Sequence, residues 1–73
     1  MAVIRSKQYD QNVENIIEHP IIMAMAEEIR IVRNEVLDSP NFMMNAYHEA
    51  VKRGLTDFGH IGAPAEAITK ILR

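Results

Sequence analysis

The sequence predicts an all-α fold, a small domain of three or four helices with an extended N-terminal arm. Two observations carry this. Ile22, Met25, Ile29, Val32 and Val36 recur at intervals of three and four residues, which lines one face of an α-helix, whereas a strand would need alternation. Helix punctuation is also regular. Pro20 stands at a first helical position, Ser39-Pro40 separates two helical stretches, Gly54 follows a basic C-terminus, and Pro64 precedes a last apolar stripe. Proline fixes φ where a helix starts, and glycine serves where one ends.

The arm covers residues 1–9. Val3 and Ile4 are β-prone and are followed by Arg5 and Lys7, so an extended segment that orders on docking is expected. Asp10 is the expected N-cap of a first helix over about 10–18, with Val13, Ile16 and Ile17 as its buried stripe. That helix must stop near Glu18 or His19, because Pro20 disfavours the α region for the residue before it. The second helix spans about 20–37, and Glu27 to Arg30 has the i,i+3 spacing of a weak ion pair.

The third helix is expected over about 40–53, with Ser39 as N-cap and Pro40 at its first position. Its apolar face is Met43, Ala46, Tyr47, Ala50 and Val51, and Lys52 and Arg53 suit the negative end of its dipole. Gly54 is placed as a left-handed terminator, with Leu55 folding back on the helix. Residues 56–63 read as a loop. The fourth helix covers about 64–72, with Ala65, Ile68, Ile71 and Leu72 inward. The expected core is the contact of Ile22, Met25, Ile29 and Val32 with Met43, Ala46, Tyr47 and Ala50.

Seventy-three residues make one domain at most, and a chain of this length buries only about 60% of its unfolded surface. Cysteine is absent, which excludes disulfides. Hydrophobic residues at 48% and charged residues at 25% argue against disorder. The longest apolar run, Ile21 to Ala26, falls far short of the roughly 20 residues of a membrane span. The segment MAVIRSKQY lacks the apolar core of a signal peptide. No membrane association and a cytoplasmic location are expected.

The net charge is −2 and the basic residues are scattered. No basic stripe is present to neutralise phosphates, so direct binding of nucleic acid is not expected. The second and third helices could be taken for a helix-turn-helix. The candidate reading helix carries Asn41 and Asn45, but its bases, Lys52 and Arg53, stand at the C-terminal end, and reading is done mostly from the N-terminal end.

His19, His48 and His60 do not have the spacing of a helical zinc site. No metal or cofactor is expected. His48 and Glu49 have no nucleophile or orienting third group beside them, so no catalysis is expected. Asp10, Glu14 and Glu18 are four residues apart. They read either as an acidic ridge for a basic partner or as a solvated face. Met25 and Met43 fit the core stripes, whereas Met23 and Met44, with Phe42, suggest an exposed patch. The candidate protein-binding residues are therefore Val3, Ile4, Arg5 and Lys7 on the arm, with Asp10, Glu14 and Glu18 beside them.

The chain as a whole, from MAVIRSKQYD to GHIGAPAEAITKILR, resembles the small early transcription regulators that lytic bacteriophages, among them phages of Xanthomonas, make to take over bacterial RNA polymerase. The resemblance implies a non-enzymatic protein in the host cytoplasm. It implies binding to the largest polymerase subunit, loss of σ-dependent initiation, and antitermination. It assigns no role to any individual residue. Two other readings stand beside it: a helix-turn-helix DNA-binding regulator, and a structural module that dimerises through the stripe of the second helix. A monomer or a weak homodimer is expected.

Overall fold

The computed structural model describes residues 7–56 and 61–73. It contains α1 (Lys7–Ile16), α2 (Pro20–Ile29), a 3₁₀ turn (Arg30–Val32), α3 (Arg33–Leu37), α4 (Phe42–Lys52) and α5 (Ala63–Leu72). No strand occurs among the described residues, and the fold is all-α.

The expected second helix is helical over 20–37 but changes winding at Arg30–Val32. Val32 leaves helical torsions, with φ −114° and ψ 29°. The segment holds no proline or glycine, the usual causes of a break. It turns Arg33 towards the end of α5, where the Arg33 Nη1 donates to the Leu72 carbonyl at 2.8 Å. One of the carbonyls that α5 itself leaves open is thereby satisfied.

Several expected boundaries move. Lys7, Gln8 and Tyr9 are already helical in α1, so Asp10 is not its N-cap and these three residues do not belong to an extended arm. Val3, Ile4 and Arg5 lie outside the described residues. At its other end α1 stops at Ile16, where the His19 N–H donates to the Ile16 carbonyl at 2.9 Å. His19 is extended (φ −66°, ψ 135°), and its Nδ1 accepts from the Ile21 N–H at 3.1 Å. Proline at 20 imposes the first feature, and the imidazole acts as N-cap of α2.

Ser39 and Pro40 form a turn ahead of α4 instead of its first residues. The Ser39 carbonyl accepts from the Phe42 N–H at 3.1 Å, and its Oγ lies 3.4 Å from the Asn41 nitrogen. The other end of α4 closes as the sequence predicts. Gly54 has φ 107°. Its N–H donates to the Val51 carbonyl at 3.0 Å, and the Leu55 N–H donates to the Ala50 carbonyl at 2.9 Å. These two bonds define a Schellman close, and buried Leu55 supplies its hydrophobic contact.

The core is centred on α5, which packs against α1, α2 and α4. Ala63, Ala65 and Ala67 are small enough to let three helices approach it closely. Val13 and Ile16 arrive from α1, Ile22, Met25 and Ala26 from α2, and Phe42, Ala46 and Ala50 from α4. The expected hairpin core therefore needs correction. Ile29 is only half-buried, Val32 is exposed, and Met43 is 55% exposed. Phe42, expected on a surface patch, is buried. On α4, Ala46 and Ala50 face the core as expected, whereas Phe42 takes the inner place expected for Met43 and Val51 is exposed.

Candidate protein-docking surface

The described members of the sequence-predicted site are Lys7, Asp10, Glu14 and Glu18, all exposed. Only Lys7, Asp10 and Glu14 share α1. Glu18 sits in the turn beyond it, so the three carboxylates do not form one helical ridge. Nor are they all available. The Lys70 Nζ of α5 donates to the Glu14 Oε2 at 3.1 Å, and Asp10 also has a partner in the structure.

At the N-terminal end of α5, Tyr9 and Met43 converge over Gly62. A Cβ there would stand 3.0 Å from the Tyr9 hydroxyl and 3.3 Å from the Met43 sulfur. A larger residue there would make the Tyr9 and Met43 side-chain ends give way by a few tenths of an ångström. Beside them a groove of about 310 Å³ has Leu37, Pro40, Phe42, Met43, Ala65 and Glu66 among its lining.

A second groove, of about 320 Å³, opens between α2–α3 and α4, with Met25, Ile29, Val36, Phe42 and Ala46 among its lining. Arg53 spans its rim. Its Nη1 and Nη2 donate to the two Glu28 carboxylate oxygens at 3.0 and 2.7 Å, and its Nε donates to the Glu49 Oε2 at 2.7 Å. The bidentate fork ties α2 to the end of α4, a geometry that arginine alone supplies. The Glu49–Arg53 half is legible in the sequence as an acid four residues before a base. The Glu28 half depends on the tertiary fold.

Hydrogen bonds from Arg53 hold the Glu28 carboxyl below its usual range, and the bonds to Glu28 and Glu49 raise the arginine in turn. A depressed carboxylate contributes stability above its unfolded pKa and loses it as pH falls through the folded value. Glu28→Gln should therefore lower the thermal midpoint at pH 7. The gap to the parent protein should narrow as pH falls below the ordinary carboxylate pKa, through the lowered folded value. The pair is exposed, so the expected effect is small. Thermal melts across this pH range check this, and a constant gap would show that charge is not the cause.

Ile31 is 91% exposed on the 3₁₀ turn, and Met23 is 53% exposed on α2. On α4, Met43, Met44 and Val51 also stand in solvent. His48 lies beside the Tyr47 ring, edge-on at 5.8 Å. His60 lies outside the described residues. Among the described residues no group of three or more potential metal ligands is gathered, and no helix is long and apolar enough to cross a membrane.

These features define a small all-α domain that carries apolar side chains on its surface helices. Set against protein families, curated proteins and solved structures, the chain matches none.

Proposed function

We propose that this chain is a non-enzymatic, protein-binding transcription regulator. It engages bacterial RNA polymerase through the largest subunit, suppresses σ-dependent initiation and acts as an antiterminator. The observation that supports protein binding is the set of large apolar side chains held in solvent, with Ile31 at 91% exposure as the extreme. Where such side chains adjoin on a small domain they mark a contact surface. The resemblance in the sequence supplies the partner.

The proposed contact residues are Val3, Ile4, Arg5 and Lys7, with Asp10, Glu14 and Glu18 beside them. Apolar anchors would supply affinity, and the charges would supply association rate and register. Deletion of residues 1–6 removes the anchors and spares every described residue of α1, Lys7–Ile16. This deletion should weaken polymerase binding without changing the helical circular dichroism. Glu18→Lys should slow association and flatten its salt dependence. It is a cleaner probe than Glu14→Lys, which would also break the pair with Lys70. Unchanged binding by the truncated Glu18→Lys protein would falsify the site. Failure of the intact chain to bind polymerase would end the functional reading.

Self-association through the α2 stripe is not favoured. Ile22 and Met25 lie inside the core and are unavailable to a second copy.

A further inference from the structure

α4 is apolar over more of its circumference than the core uses. Phe42, Ala46 and Ala50 are buried. Met43, Tyr47, Val51 and Met44 come next around the helix. At 3.6 residues per turn they fill a second arc roughly 100° wide. Met43, Val51 and Met44 are 55%, 45% and 44% exposed, and Tyr47 is half-buried. Single exposed apolar residues are ordinary. A contiguous arc as wide as the stripe an amphipathic helix normally commits to a core is not.

The borders of the arc indicate its occupant. On one side Met43 leans over Gly62 and lines the groove between α4 and α5. On the other side stand His48 and Lys52, both exposed. Among the described residues Lys52 is the charge on that border without an ion pair, whereas neighbouring Arg53 is held by Glu28 and Glu49. Antiparallel pairing of α4 with a second copy, centred on Tyr47, would bring like borders together and set Lys52 opposite the Asn41 and Asn45 end of the copy, which offers no carboxylate. A second copy therefore gives Lys52 no charge match. A helix with carboxylates along its apolar stripe matches both the arc and the border.

We infer that the outer face of α4, formed by Met43, Met44, Tyr47 and Val51, docks an amphipathic helix of a partner protein whose apolar stripe is edged by acidic side chains. Lys52 supplies the charge match. The inference rests on the protein-binding reading and adds a surface separate from the α1 residues. Recognition follows the familiar mode in which the apolar face of one helix is laid on another surface, with spaced side chains as anchors.

The test uses the intact chain, isotope-labelled, and two synthetic 18-residue helical peptides. Both carry the same leucine stripe, one flanked by glutamates and the other by lysines. The glutamate peptide should bind at least ten-fold more tightly, with amide shifts centred on residues 43–52. Val51→Glu should weaken it at least ten-fold, and Lys52→Glu should reverse the preference between peptides. Met44→Ser provides a milder second variant if Val51→Glu fails to fold, and it should also weaken binding. Equal affinity for the two peptides, shifts centred elsewhere, or self-association abolished by Met44→Ser would each overturn the inference. Polymerase binding separates the two claims. A Val51→Glu protein that is blind to charge on the peptides yet binds polymerase like its parent removes the α4 face and keeps the proposed function. Peptide selectivity without polymerase binding by the intact chain keeps the face and removes the function.

Discussion

Ile68→Ala should lower the stability of the folded chain by about 3–4 kcal/mol, towards the upper end of the range for buried isoleucine truncation. Ile68 is 0% exposed, on the helix against which α1, α2 and α4 all pack. The space it leaves is bounded by several helices, and collapse of one cannot fill it. A domain of this length has a total stability of roughly 4–11 kcal/mol, at about 0.05–0.15 kcal/mol per residue. The variant should therefore lose from about a quarter to nearly all of that stability. Urea denaturation followed by circular dichroism measures the loss directly. Ile29→Ala serves as the comparison, because Ile29 is only half-buried on α2. It should cost about 1 kcal/mol, in keeping with partial burial. Equal losses at the two sites would mean that the hairpin of α2 and α4, and not α5, carries the core.

The contrast between these isoleucines shows what periodicity can convey. Ile22, Met25, Ile29, Val32 and Val36 announce a helical segment correctly, and the structure is helical from 20 to 37. They do not announce that the winding changes at Arg30, because the Arg33–Leu72 contact spans 39 residues. Local patterns cannot encode a partner so distant. α4 presents a related ambiguity. Phe42, Ala46 and Ala50 have helical spacing, and so do Met43, Tyr47 and Val51. Both arcs are legible, but only the packing of α5 decides which is inside. Ala46 and Ala50 belong inside on either reading, and the local pattern leaves open whether Phe42 or Met43 joins them. α5 is inconspicuous in the sequence because its alanines contribute close approach instead of apolar volume.

Boundaries set by backbone chemistry were more legible. Proline at 20 fixes an extended His19 and the start of α2, as its ring sterics require. The start of α1 was missed because Asp10 is a good capping residue by type, yet Lys7, Gln8 and Tyr9 are already helical. Tyr9 reaches over Gly62, the residue that precedes α5, a tertiary contact made by a residue ahead of the one whose propensity suggests the start of α1. Of the candidate site, the exposure of Lys7, Asp10, Glu14 and Glu18 was legible. The engagement of Glu14 by Lys70 was not, because those residues meet only after α1 packs on α5.

Gly54→Val should destabilise the domain by about 2–3 kcal/mol through backbone strain alone. Gly54 has φ 107°, and a Cβ built on it would meet nothing within 4 Å. Collision with neighbours is thereby removed as a cause. An L-residue at positive φ sets its own Cβ against the backbone, at roughly 1–2 kcal/mol, and β-branching makes valine worse. Relief by rotation to negative φ would break the bonds from the Gly54 and Leu55 N–H groups to the carbonyls of Val51 and Ala50. It would also draw Leu55 out of the core. Gly54→Ala should fall between the parent and the valine variant. The discriminating measurement uses chemical synthesis, practicable for 73 residues, to place D-alanine at position 54. Its mirror-image preference is for positive φ, so it should keep or raise the thermal midpoint by restricting the unfolded chain, an effect of about 0.4–1 kcal/mol. A loss with D-alanine as large as that with L-alanine would show that a side chain of either hand is resisted there, and the explanation by backbone torsion would fall.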